Sequence, residues 1–77
     1  MILIDVRTKN EYSGGHIEGA INHDIMEMMQ GNFPNIDKES EVCLYCESGN
    51  RSMMAKNFME NAGFKNVKDL GSIDNLR

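Results

Sequence analysis

The run Glu41-Val42-Cys43-Leu44-Tyr45-Cys46, continued by Glu47-Ser48-Gly49-Asn50-Arg51 and by residues 52–62, decides the fold. Its first part is a nearly unbroken apolar segment of strand length, the pattern of a strand covered on both faces in a parallel sheet. Its last part sets Met54, Ala55, Phe58, Met59 and Ala62 on one face at helical period, with Gly63 as the stop. A buried strand thus passes through a tight polar loop into a helix spanning 52–62.

Working outward, Ile2-Leu3-Ile4-Asp5-Val6 is a second buried strand pattern. Thr8 and Glu11 form a capping-box pattern, so a short helix begins at once and stops by Gly14-Gly15. Ala20-Ile21-Asn22 reads as a short strand. Asp24 caps another short helix with Ile25, Met28 and Met29 on one side, and Gly31 and Pro34 mark the loop after it. Residues 66–70 form a last short strand, followed by Gly71-Ser72 and a polar end. Strands alternating with short helices predict an α/β fold, a mostly parallel sheet with helices on both faces, in one domain over residues 1–77.

Composition narrows the function classes. A chain of 77 residues buries only about 60% of its unfolded surface, so its stability margin is thin. Apolar residues at 40% and charged residues at 26% are ordinary for a globular domain. The net charge of −4 and the scattered Lys and Arg residues argue against nucleic acid as a partner. No apolar run approaches the roughly 18 residues that span a bilayer, and the first residues carry no export-signal pattern, so a monomer in the cytoplasm is expected. Two cysteines, Cys43 and Cys46, are too few for a disulfide framework, which leaves at least one thiol free.

Cys46 falls at the carboxyl end of a predicted parallel strand, where open α/β sheets collect their binding sites. The loop 47–51 that follows can turn successive amides inward as an anion nest, with Gly49 available for a positive φ. A helix N-terminus and a nearby cation lower a thiol from about 8.5 to about 3.5–7.5, and Arg51 supplies the cation. Cys46 is therefore read as a nucleophile. The plainer reading, a small apolar residue ending a strand, is weakened by a polar loop that is expected to leave the sulfur without apolar cover.

Cys43 and Cys46 do not suit a redox dithiol. Residues three apart in a strand lie about 10 Å from each other on opposite faces, beyond the roughly 7 Å a disulfide tolerates. Cys43 is expected in the core. His16, His23 and the two cysteines lack the paired spacings of structural zinc sites, so no metal and no cofactor is expected, and both histidines read as structural or surface residues. The seven methionines are expected mainly to fill core gaps, with a few exposed ones available to a partner.

Two ordered blocks then carry a resemblance. Leu3-Ile4-Asp5-Val6-Arg7, Glu11-Tyr12 and Gly15-His16-Ile17-Glu18-Gly19-Ala20-Ile21-Asn22 form the first. Tyr45-Cys46-Glu47-Ser48-Gly49-Asn50-Arg51-Ser52 forms the second, with Ala55, Gly63-Phe64, Val67 and Leu70-Gly71 after it. Together they resemble the signatures of rhodanese-like domains, and in its shortness the chain resembles the phage-shock type.

The resemblance implies a sulfurtransferase in which Cys46 accepts a sulfane sulfur as a persulfide, wrapped by Glu47, Ser48, Gly49, Asn50 and Arg51. The expected partners are a small donor such as thiosulfate and an acceptor such as cyanide or a thiol, which a partner protein could also supply. Asp5, Arg7, Glu11 and His16 match structural positions of the family. Relative to it, the sequence opens at the first long strand, so the usual N-terminal strand and helix are expected to be absent, and little is expected to cover one side of the sheet at the other end. Glu47 stands where many relatives carry a basic residue, so an anionic donor such as thiosulfate is expected to be poor. Four residues separate Cys46 from Arg51, one fewer than in the related phosphatase loops, which suits a sulfur atom better than a phosphate. The alternative is a non-enzymatic sulfur-carrier or protein-binding module, since fold alone does not settle function.

Overall fold

In the computed structural model, which describes residues 1–77, the strand that decides the fold is β3 (Glu41–Cys46), and its last five residues are all buried. It pairs with β1 (Ile2–Asp5) on one side and β4 (Asn66–Ser72) on the other, while the two-residue β2 (Ile21–Asn22) extends β1. All pairings are parallel, and the order is β2-β1-β3-β4. The chain runs from β1 to β2 in one direction and then returns to the far side of β1 with β3. The loops after β1 and β3 therefore diverge at the carboxyl edge, the place where such sheets open a crevice.

Three helices join the strands. Helix α1 (Lys9–Ser13) starts on the expected capping box, in which Thr8 Oγ accepts from Glu11 N–H and the Glu11 carboxylate accepts from Thr8 N–H. Helix α2 (Ile25–Met29) is capped by Asp24, whose carboxylate accepts from Met26 N–H at 2.9 Å. Helix α3 (Asn50–Asn61) begins two residues earlier than the sequence pattern indicates. Gly49, at φ 101°, makes the turn that lets Asn50 and Arg51 enter the helix directly.

The main core lies between the sheet and helices α2 and α3. Ile4, Val6, Val42, Leu44, Cys46 and Val67 from the strands meet Ile25, Met28, Ala55 and Met59. Alternation along β3 sends Cys43 and Tyr45 to the other face. There Tyr45 packs with Ala20 and Ile73, flanked by Leu3, Ile17, Leu70 and Leu76.

Two expectations are corrected here. The stretch after residue 70 is not simply a polar end, because β4 runs on to Ser72 and a 3₁₀ turn (Ile73–Leu76) folds back to bury Ile73 completely on the second face. Only Met28 and Met59 of the seven methionines are core residues. Met1, Met26, Met29, Met53 and Met54 are exposed, including two that the helical pattern placed on apolar faces.

Candidate active site

At the carboxyl end of β3, Cys46 is fully buried, which corrects the expectation of a sulfur without apolar cover. The polar loop does not lay the sulfur open; it closes over it. Gly49 N–H donates to Cys46 Sγ at 3.0 Å, and Ser52 N–H at 3.3 Å. Ser52 Oγ lies 3.5 Å from Sγ, accepting from the thiol while its own hydroxyl donates to the Gly49 carbonyl at 3.1 Å. When the sulfur is a thiolate, that hydroxyl can turn and donate to it instead.

These donors decide the ionisation of Cys46. Burial pushes the thiol up, but the Ser52 hydroxyl and the amides of Ser52, Gly49 and Ser48 together outweigh it and hold the pKa below the ordinary value. The chemical result is a soft nucleophile kept dry and anion-ready, with its charge met by fixed dipoles.

The sulfur's backbone cradle is held in place from β4. The pairing Leu44 with Asp69 is followed by Cys46 with Ser72, so β4 carries one extra residue and bulges at Leu70-Gly71. The bulge brings Ser72 level with the loop, and Ser72 Oγ donates to the Glu47 carbonyl at 2.7 Å.

Two arginines flank the loop, each paired with a carboxylate about 40 residues away in sequence. Arg51 donates to both oxygens of Glu11, at 2.7 and 2.9 Å. The Arg51 cation lies close enough to interact with Cys46 as well as with Glu11, and it sits in the first turn of α3 rather than in the loop where the sequence placed it. The bidentate contact with Arg51 holds the Glu11 carboxyl at about 2. Arg7 donates from Nε and Nη2 to the fully buried Asp5, from Nη2 to the Gly15 carbonyl at 2.7 Å, and from Nη1 to Glu47 at 2.9 Å. Glu47 is therefore not the free negative charge that the sequence suggests.

His16 stacks on Tyr12 with ring centroids 3.7 Å apart, and Cys43 lies on the opposite face beside Met1 Sδ. Both cysteines are free thiols. The open cavity of about 320 Å³ lined by Met1, Glu41, Cys43, Lys65 and Lys68 sits at the amino end of β3 and β4, away from the Cys46 cradle. Of residues 47–51, Gly49 and Ser48 turn their amides to Cys46, Asn50 and Arg51 open α3, and the Glu47 and Arg51 side chains are tied to Arg7 and Glu11.

Sequence reasoning missed Ser52 and Ser72. Ser52 had a visible signal: a small polar residue heading the buried stripe Ser52, Ala55, Met59 of α3. Ser72 had none, because only the β4 bulge brings it to the loop.

Comparison with known proteins supplies the context. A family model for the rhodanese-like domain matches residues 1–76. The thiosulfate sulfurtransferase PspE of Escherichia coli is 31% identical over 74 residues, 95% of this chain and 71% of that protein. The adenylyltransferase and sulfurtransferase UBA4 of Candida glabrata is 33% identical over 79 residues, but the match covers 90% of this chain and only 18% of that protein. Likewise, this chain spans 19% of a probable molybdopterin-synthase adenylyltransferase of Porphyra purpurea. Among solved structures, a rhodanese with anions from Escherichia coli superposes with a TM-score of 0.81 at 28% identity, over 96% of this chain and 88% of that one. The human single-domain sulfurtransferase TSTD1 shares the fold, with a TM-score of 0.86 at 21% identity over 97% of this chain and 79% of that one.

Proposed function

Because this chain belongs to the rhodanese-like family, we propose that it moves a sulfane sulfur from a donor such as thiosulfate to a thiophilic acceptor, cyanide or a thiol, through a persulfide on Cys46. One observation carries the reading: a buried cysteine at the carboxyl end of β3 whose sulfur meets the Ser52 hydroxyl at 3.5 Å, Gly49 N–H at 3.0 Å and Ser52 N–H at 3.3 Å, contacts that lower its pKa against the opposing effect of burial.

The steps balance without a cofactor. The Cys46 thiolate attacks the outer sulfur of thiosulfate, a Sγ–S bond forms, and sulfite leaves with the electron pair of the broken S–S bond. Cyanide then attacks the outer sulfur of the persulfide and leaves as thiocyanate, returning the thiolate. The persulfide carries its negative charge on the outer sulfur, so stabilising it calls for amides of the loop that turn toward that atom as Gly49 and Ser52 N–H now turn toward Sγ. The loop 47–51 supplies the wrap, and its tie to Ser72 limits how far it must move.

The second reading, a carrier that holds sulfur for a partner protein, is favoured by the pairing of both flanking arginines, which leaves neither free to recruit a small anion. The test serves both. After incubation with thiosulfate or a persulfide donor, intact mass should rise by one sulfur atom on Cys46, and cyanide should remove it with ping-pong kinetics. Cys46→Ser should abolish both signals, and a variant that kept substantial turnover would falsify the assignment. A stable mass gain with negligible turnover marks the carrier role.

A further inference from the structure

The two arginines tied to the loop and to the start of α3 are both paired, but not equally firmly. Arg51 is held by both oxygens of Glu11, which is itself anchored by Thr8 N–H and Thr8 Oγ. Arg7 is 4% exposed at its side chain and is fixed by Asp5, which is fully enclosed and cannot leave. Glu47 is different. Its side chain is 51% exposed, its carboxylate makes its one hydrogen bond to Arg7 Nη1, and its backbone is pinned by Ser72. It is the one partner of Arg7 that can swing into water without unfolding anything.

Resting on the sulfurtransferase reading, we propose that Glu47 determines donor specificity: its carboxylate occupies the anion position that Arg7 presents at the loop, which selects thiol-borne persulfides with at most one charge over dianionic donors such as thiosulfate. Two cations face three carboxylates here, since Arg7 and Arg51 are met by Asp5, Glu47 and Glu11. No positive charge is left over for a dianion. A thiosulfate sulfonate must displace Glu47 from Arg7, and the released carboxylate then remains beside it. A thiol-borne persulfide needs no such exchange. The Cys46 thiolate attacks its terminal sulfur, the Sγ–S bond forms, and the donor thiolate leaves with the electron pair of the broken bond. The terminal sulfur keeps its proton or gives it to solvent.

The experiment measures loading of Cys46 by intact mass under single-turnover conditions, with thiosulfate and with the persulfide of 2-mercaptoethanol. Glu47→Gln retains an oxygen for Arg7 but removes the charge. It should raise the ratio of thiosulfate to persulfide loading by about three- to fivefold, since a half-exposed ion pair is worth up to about 1 kcal/mol. The change should lie in the thiosulfate concentration that gives half-maximal loading rate rather than in the maximal rate, and should shrink with added salt. Glu47→Asp should restore part of the original ratio. Equal changes for both donors, or a change confined to the maximal loading rate, overturns the specificity role while leaving the sulfurtransferase reading intact. Failure of the unaltered protein to gain sulfur from either donor overturns that reading, and this inference with it.

Discussion

Ser52 shows how one side chain sets the chemistry of another. Its amide and hydroxyl both reach Cys46, and no other residue offers the sulfur two groups. Removing the hydroxyl leaves burial, which disfavours the thiolate, less well opposed. Ser52→Ala should therefore move the midpoint of Cys46 alkylation by iodoacetamide to higher pH and slow the reaction several-fold at neutral pH. Ser52→Thr keeps the hydroxyl and should stay close to the original profile. An unchanged midpoint in the alanine variant would assign the lowered pKa to the backbone amides alone. Gly49 is the complementary case: its φ of 101° is strained for any L side chain, so its amide reaches the sulfur only because the residue is glycine.

Elements are joined around the site by ion pairs that cross the sequence twice. Glu11 on α1 meets Arg51 on α3, and Arg7 after β1 meets Glu47 after β3. The first pair makes a pH prediction. Contact with Arg51 lowers the Glu11 carboxyl from 4.5 to about 2, so the folded state binds the proton less readily than the unfolded one. Its contribution to stability is fully present above about 4.5 and is lost as pH falls toward 2. Glu11→Gln keeps one oxygen for the capping-box contact with Thr8 N–H but loses the charge and the second acceptor for Arg51. Urea denaturation should show the variant about 1 kcal/mol less stable at pH 6, with the gap closing near pH 2. A gap that persists at low pH would mean that the substitution disturbs α1 rather than the ion pair.

Across the whole molecule the weak point is the second face of the sheet. Helices α2 and α3 cover the first face, whereas Tyr45 on the second depends on Ala20, the 3₁₀ turn and partly buried neighbours. Ile73 is fully buried there, although it lies in a turn near the end of the chain. Truncating a buried Ile to Ala costs about 2–5 kcal/mol, a large share of the total for a small domain. Ile73→Ala should thus lower the thermal midpoint followed by circular dichroism by on the order of 10 °C. A shift of a degree or two would show that the turn is an ornament of the fold rather than its second wall.

Hydrophobic periodicity and capping chemistry are local, and they alone determined the alternation of strands and helices, the capping box at Thr8, the cap at Asp24 and the placement of Cys46 at a strand end. The opposite facing of Cys43 and Cys46 also follows from strand geometry alone. Tertiary structure decided what depends on residues distant in sequence. Burial of Cys46 needs a helix and a loop to close over it, Ser72 reaches the loop only through the β4 bulge, and Ile73 becomes core only when the chain folds back. The charges changed meaning for the same reason. Glu47 and Arg51 read as free charges in the sequence, but Coulomb attraction acts through space, and the parallel packing of β1 beside β3 puts Arg7 and Glu11 where both are neutralised.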